Sequence, residues 1–208
     1  KHGAKVENEI VFIDKKMFEN AFKTVPPTFD WYGRDTMVTI GSGGLKCSPT
    51  YGPIYIYKEG KYENANHTHF VNFHKLNETS SIMDISSCNT MDVSYVPREL
   101  REMYRLGVTL KYCKKPLYGI VDGGKETVEK SLDIMEKFYG FKDKVYSTGL
   151  IATMGAMQMS TDMCEAVIAY SKRKQALILT SGVVIGANAP QSMAGSFILG
   201  NAMVIAGI

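Results

Sequence analysis

The sequence has few of the features that mark disulfide-rich, nucleic-acid-binding or membrane-spanning proteins. Only 4 of its 208 residues are cysteines, and their wide, irregular spacing suits neither a zinc site nor a small disulfide scaffold. Lys and Arg (24) barely exceed Asp and Glu (21), which is too small an excess to predict a nucleic-acid partner. No apolar run is long enough for a transmembrane helix, and no secretion signal is visible. We therefore expect a cytoplasmic protein with reduced thiols.

Spacing also argues against a metal site and a nucleotide loop. His67, His69 and His74 do not share one helical face, so zinc is not predicted. The glycines of 41–44 and 122–125 lack the GxGxxG and GxxxxGK spacings, and we expect turns at both places. No Ser/His/Asp or Cys/His arrangement emerges, so no catalytic residue is predicted.

Residues 1–66 are predicted to form a small, mainly β N-terminal lobe. Asp14 is placed to cap a short helix over 15–23, which Pro26 and Pro27 end. Short β-like runs separated by turn residues predict strands within 6–13 and at 29–32, 37–40 and 54–57.

Residues 67–208 alternate between apolar strand-like runs and amphipathic helical patterns, with a repeat of about 30 residues. The predicted strands are 82–86, 117–121, 145–151 and 176–180, and the helices that follow them are 97–110, 125–139, 161–171 and 192–208. Short, wholly apolar strands are typical of a parallel sheet buried on both faces. The pattern favours an α/β fold, namely the first half of a TIM (β/α)8 barrel with about four βα units. An open flavodoxin-like sheet is the alternative.

In a barrel, the binding groups sit on the loops that follow the strands. Those loops carry the side chains with which we expect a small ligand to be bound: Asn89, Asp122, Met154, Asn188 and Gln191. Tyr51 and Tyr55 of the β lobe are candidates to enclose a cation with their ring faces. Packing between strands is the alternative for both tyrosines.

Several stretches, in order along the whole chain, resemble one family. Residues 187–195 resemble its "SGA-x-AP-x-x-LAG" motif, and 201–208 its "NAE-x-L-x-GI" motif. Residues 115–119 look like "KPL-x-G", 31–35 like "L-x-GRD", and Tyr51-Gly52 like part of a "G-x-G-Y/T-G" loop. The family is the trimethylamine methyltransferase superfamily, which includes enzymes for glycine betaine and other quaternary amines.

The resemblance implies a methyltransferase that moves a methyl group from an amine to the cobalt(I) of a cognate corrinoid protein. It implies a small quaternary or tertiary amine as substrate, no cofactor on this chain, cobalamin on the partner, and a homo-oligomer. Family members are about twice as long, so we expect a second barrel half, which holds a pyrrolysine in the trimethylamine subgroup. A non-catalytic amine-binding module and an unrelated TIM-barrel enzyme are the alternatives.

The chain departs from the family pattern at its loops. Asn188 and Gln191 stand where Val or Thr is commoner, and the loop at 154–156 lacks the usual Ser-Pro. These departures leave the identity of the amine open.

Overall fold

The computed structural model describes residues 3–153, 155 and 157–207. Its strands are β1 Lys5–Glu7, β2 Ile10–Phe12, β3 Phe29–Tyr32, β4 Met37–Ile40, β5 Tyr55–Lys58, β6 Lys61–Asn64, β7 Ser86–Ser87, β8 Leu117–Tyr118, β9 Ser147–Thr153 and β10 Ala176–Ser181. Its α-helices are α1 Lys15–Phe22, α2 His67–Thr79, α3 Arg101–Tyr112, α4 Gly124–Tyr139, α5 Thr161–Lys172 and α6 Met193–Ile205. None of the helices in this described part has the length and apolar character that crossing a bilayer requires.

The last four strands form one parallel sheet in the order β10-β9-β8-β7. The first six strands pair as antiparallel hairpins, β1-β2, β3-β4 and β5-β6. The prediction of a mixed α/β fold is therefore confirmed. The sheet follows chain order, whereas a flavodoxin-like sheet runs 2-1-3-4-5. The described residues form no closed barrel.

The chain divides into two compact units. One contains residues 28–150 and 161–178, and the other contains 1–27, 151–160 and 179–208. The predicted boundary between a lobe ending at residue 66 and a barrel half starting at residue 67 stays a prediction.

The predicted strand at 82–86 is wrong over most of its length. Only Ser86 of that run is in β7, because the backbone before it is bonded elsewhere. The N–H groups of Asp84 and Ile85 both donate to the carbonyl of Cys47, at 2.9 and 3.2 Å. The Asp84 carboxylate in turn accepts from the Cys47 N–H at 2.9 Å. These bonds hold the run against the 45–50 segment instead of the sheet.

The helix boundaries follow their capping chemistry. Asp14 accepts from the Met17 N–H at 2.7 Å at the start of α1, as predicted. Ser192 accepts from the Gly195 N–H at 3.1 Å at the start of α6. Gly140 ends α4 with a φ of 67°, a left-handed conformation that glycine adopts without steric cost.

The end of α2 is joined to the start of β8 by one buried ammonium group. Lys115 Nζ donates to the carbonyls of Asn77, Ser80 and Met83 at 2.7, 2.8 and 2.7 Å. Three N–H donors thus meet three carbonyls, two of them at the carboxyl end of the helix, where a cation is favoured.

We predict that Lys115→Met lowers the free energy of unfolding by about 3 kcal/mol, because methionine fills the space but leaves buried carbonyls unpaired. Urea denaturation followed by circular dichroism measures the change. Lys137→Met is the matched control, since Lys137 is exposed on α4, and it should change stability by no more than about 0.5 kcal/mol. Equal stabilities of the two variants would contradict the prediction.

A buried polar cluster lies between α2, α3 and β7. His74 Nδ1 is 3.1 Å from the sulfur of Cys113, which also accepts from the Ser86 hydroxyl at 3.2 Å. His74 Nε2 lies 3.4 Å from the hydroxyls of both Thr90 and Thr109. Burial lowers the pKa of His74 to about 4 and raises that of Cys113 to about 11. The two groups therefore meet as neutral imidazole and thiol.

His74 should make the fold sensitive to mild acid. Its folded pKa of about 4 lies below the unfolded value of about 6.5, so the unfolded state binds more protons between these limits. This contribution is fully present above about pH 6.5 and falls by about 3 kcal/mol as the pH drops to about 4. Denaturant unfolding of wild type and His74→Gln from pH 7.5 to 4.5 measures it. The loss of unfolding free energy should be smaller in His74→Gln than in wild type, and the control His67→Gln should retain the full loss. If wild type and His74→Gln lose stability in parallel as the pH falls, His74 is not the group responsible.

Candidate functional site

Two loops lie against each other at the carboxyl end of β7. The Gly52 N–H donates to the Asn89 carbonyl at 2.8 Å, and the Asp92 N–H donates to the Pro53 carbonyl at 3.0 Å. Gly52 has a φ of 70°, which a residue with a side chain adopts only with strain. This backbone pairing places Tyr51 beside the loop that follows β7.

Tyr51 and Asn89 are joined by their side chains. The Asn89 carboxamide donates to the Tyr51 hydroxyl oxygen at 2.6 Å. Asn89 is only 5% exposed, whereas Tyr51 is 47% exposed. Asn89 Oδ1 is buried and has no hydrogen-bond partner among the described residues. The pair thus connects the interior to the surface and has unused hydrogen-bonding capacity.

A carboxylate acts on this pair from the next strand. Asp122 follows β8 on an exposed loop. Burial raises the pKa of Tyr51, and the negative charge of Asp122 raises it further, while the hydrogen bond from Asn89 works in the opposite direction. The phenol therefore keeps its proton at neutral pH. Three predicted site residues, Tyr51, Asn89 and Asp122, are brought together at one edge of the sheet.

Sequence reasoning missed the ion pair of Glu102 and Arg105 on α3. Arg105 Nη1 donates to Glu102 Oε1 at 2.6 Å, and both side chains are largely buried. Burial raises the pKa of Glu102, Arg105 opposes this, and Asp122 adds to it. The i,i+3 spacing of opposite charges was the available signal. Glu102 also lines a cleft of about 520 Å³, beside Gly123 and the first turn of α4.

The first turn of α4 is bonded to a side chain from α5. Glu165 Oε2 accepts from the Lys125 N–H at 2.7 Å. Gly123 and Gly124 precede this bond with φ values of 87° and 76°. The Asp122–Lys125 stretch is thus a glycine turn that leads into a helix, as its composition predicts.

The other predicted residues lie on other elements of the fold. Tyr55 starts β5 on an exposed hairpin. Asn188 and Gln191 belong to the other compact unit. The Asn188 side chain accepts from the Val184 N–H and donates to the Gly182 carbonyl, both at 2.7 Å, and these bonds close the loop after β10. Gln191 is exposed. Met154 lies outside the described residues.

The described residues contain no group of three or more His, Cys, Asp or Glu side chains placed to hold a metal ion.

Two of the short motifs noted in the sequence turn out to join elements. A Cβ on Gly33 would lie 2.3 Å from the Lys114 carbonyl, and Lys114 Nζ is 2.7 Å from the Asp35 carboxylate. A Cβ on Gly119 would lie 2.2 Å from the Ser147 hydroxyl and 2.4 Å from that of Tyr170. Only glycine permits these close approaches. The motifs around Gly33 and Gly119 therefore serve the packing of the sheet.

Comparison with known proteins gives a match over the whole chain. A family model described as trimethylamine methyltransferase (MTTB) matches residues 1–208. The glycine betaine methyltransferase of Desulfitobacterium hafniense is 30% identical over 215 residues, which cover 100% of this chain and 45% of that protein. The L-carnitine:corrinoid methyltransferase of Eubacterium limosum is 28% identical over 95% of this chain and 43% of that protein. This chain thus spans less than half the length of these relatives.

The fold also resembles a solved structure. The monomethylamine methyltransferase of Methanosarcina barkeri superposes with a TM-score of 0.67 at 12% identity, over 91% of this chain and 43% of that one. At this identity the likeness concerns the fold alone.

We predict that Asn188→Ala opens the loop after β10, because alanine removes both hydrogen bonds that close it. Hydrogen exchange of residues 182–190 should be faster by about tenfold. Asn201→Ala is the matched control, since Asn201 bonds only within α6, to the Phe197 carbonyl. Unchanged exchange in Asn188→Ala would show that the loop is held by other contacts.

Proposed function

This chain belongs to the trimethylamine methyltransferase family, and we propose that the protein that carries it transfers a methyl group from a quaternary or tertiary amine to the cobalt(I) of a cognate corrinoid protein. The observation that carries the proposal is the family match over residues 1–208. Glycine betaine, another betaine or trimethylamine is the proposed amine. Cobalamin belongs to the partner, and this chain binds no cofactor of its own.

We propose that the parallel sheet is the first half of a TIM barrel. The support is the strand order, because β7 to β10 follow one another in the sheet as they do along the chain. In a barrel the active site lies at the carboxyl ends of the strands. Asn89 and Asp122 follow β7 and β8 at that edge. A cytoplasmic homo-oligomer is part of the same proposal.

Methyl transfer from a quaternary amine needs no acid or base catalysis. When the methyl group leaves a quaternary amine, the C–N bond breaks and nitrogen keeps the electron pair, so a neutral tertiary amine departs and no proton moves. The corrinoid of the partner, the second substrate, supplies the electron pair for the new bond. The residues of this chain therefore have to bind and orient the amine. A general base is not required for this transfer.

Each predicted site residue has a place in this proposal. Asp122 attracts the ammonium charge, and the ring faces of Tyr51 and Tyr55 enclose it. Asn89 fixes Tyr51. Further substrate contacts are proposed from the third and fourth strand loops, by Met154, Asn188 and Gln191, with Asn188 also closing the fourth loop.

The test is methyl transfer from a panel of amines to a cobalt(I) corrinoid, with the whole protein and the corrinoid absorbance as the signal. The panel comprises glycine betaine, L-carnitine, proline betaine and trimethylamine. Transfer from at least one is expected. Tight binding of a betaine without transfer would favour an amine-binding module. The absence of both transfer and binding for every amine of the panel would contradict the proposal.

Asp122→Asn should lower kcat/KM for the accepted amine by about tenfold, because the substitution removes the charge that attracts the cation but keeps the side-chain shape. Asp162→Asn, in the exposed first turn of α5, is the matched control and should retain wild-type rates. Equal rates for Asp122→Asn and wild type would remove Asp122 from the site.

A further inference from the structure

We propose that the hairpin β5-β6 is the surface on which the cognate corrinoid protein docks, and that it binds this partner with the rings of Tyr57 and Tyr62 and the ammonium groups of Lys58 and Lys61. The inference rests on the proposed function and deepens it, because it names the surface by which this chain recognises its second substrate. The partner presents an apolar patch next to carboxylate groups.

The hairpin presents two aromatic rings to solvent. Tyr57 and Tyr62 are directly opposite each other across the strands, and their ring centroids are 5.1 Å apart. They are 65% and 77% exposed. Tyrosine is enriched in protein interfaces and among the residues that contribute most to binding, because its ring is large and its hydroxyl tolerates water. Two such rings side by side form an anchor for another protein.

The hairpin is attached to the core by its other face. Ile56 packs against a buried cluster that consists of Ala65, Phe70, Met91 and Val93. Because successive side chains of a strand point to opposite faces, Tyr57 and its opposite neighbour Tyr62 point away from this cluster. Packing of the core therefore does not explain the tyrosine pair.

A pair of like charges lies next to the tyrosines. Lys58 and Lys61 are directly opposite each other in the register, flank the turn of the hairpin, and are both exposed. Like charges in directly opposite positions destabilise paired strands. A carboxylate of a bound protein offsets this repulsion by attracting both ammonium groups. The lysine pair therefore favours an acidic site on the partner.

The position of the hairpin selects the corrinoid protein as its occupant. The segment before β5 is bonded to the loop after β7, since the Gly52 N–H donates to the Asn89 carbonyl at 2.8 Å and the Asp92 N–H to the Pro53 carbonyl at 3.0 Å. The hairpin is thus anchored at the edge where the amine is proposed to bind. Cobalt(I) must reach that edge to donate the electron pair of the new Co–C bond, while the C–N bond breaks and nitrogen keeps its pair.

The experiment uses the whole protein and the corrinoid protein that accepts methyl groups from it, purified by that activity. Calorimetry gives the Kd for the partner in its cobalt(II) state, which lacks the electron pair needed for transfer, and steady-state rates give separate KM values for partner and amine. In Tyr57→Ala and Tyr62→Ala, the Kd and KM for the partner should rise by about tenfold or more, with the KM for the amine unchanged. Leu45→Ala removes an apolar side chain that is 87% exposed outside the hairpin, and this matched control should keep the wild-type values.

Lys58→Glu separates docking from the stability of the hairpin. The substitution puts a carboxylate opposite Lys61, so the strands gain an opposite-charge pair and the hairpin is at least as stable as in wild type. The Kd for the partner should nevertheless rise by about tenfold, and it should depend less on salt than the wild-type Kd does. Lys16→Glu, at an exposed position of α1, is the matched control and should keep the wild-type Kd.

The other outcomes overturn the inference. An unchanged Kd for the partner in all three hairpin variants does so while methyl transfer stands. If the Kd for the partner is unchanged and the KM for the amine rises, the hairpin contacts the amine instead; if light scattering shows a lower mass at an unchanged Kd, the hairpin binds a second copy of the chain. If wild type transfers methyl groups to no corrinoid protein, the proposed function fails, and the inference fails with it.

Discussion

The ammonium group of Lys115 binds three backbone carbonyls, and the position of β8 in the parallel sheet depends on this contact. Asn77 and Ser80 are at the end of α2, Met83 is in the segment that follows, and Lys115 itself lies two residues before β8. One cation therefore fixes a helix end, the irregular segment after it and the start of a strand. Next to it, the turn after β3 approaches the backbone of Lys114 so closely that only Gly33 fits. These contacts lie at the amino end of the strands, opposite the edge that carries Asp122.

The helices were predictable from the sequence because each has to bury one face. Their apolar spacing gave α1 and α3 to α6 to within a few residues, and Asp14 marked one start directly. The two short strands β7 and β8 were overextended. Apolar runs indicate burial but not hydrogen-bond partners, and the run before Ser86 is bonded to Cys47, some 40 residues earlier in the chain. That pairing leaves no periodic trace in the sequence.

The candidate site was only partly predictable for a similar reason. The loop rule placed Asn89 and Asp122 at one edge, since both follow parallel strands. The bond between Asn89 and Tyr51 spans 38 residues and depends on a backbone pairing around Gly52. Residue type did not predict the structural role of Asn188, whose side-chain amide bonds to the backbone of its own loop through both its oxygen and its nitrogen.

The carboxylate of Glu165 at the first turn of α4 has a consequence for the kind of ligand this edge can attract. A helix amino terminus carries partial positive charge and is a natural binding place for phosphate and other anions. Here the Lys125 N–H is already bonded to Glu165, so the protein supplies its own anion. With that N–H already bonded to a carboxylate, the turn after Asp122 offers one donor fewer to a phosphorylated metabolite and places a second negative charge near a positively charged one.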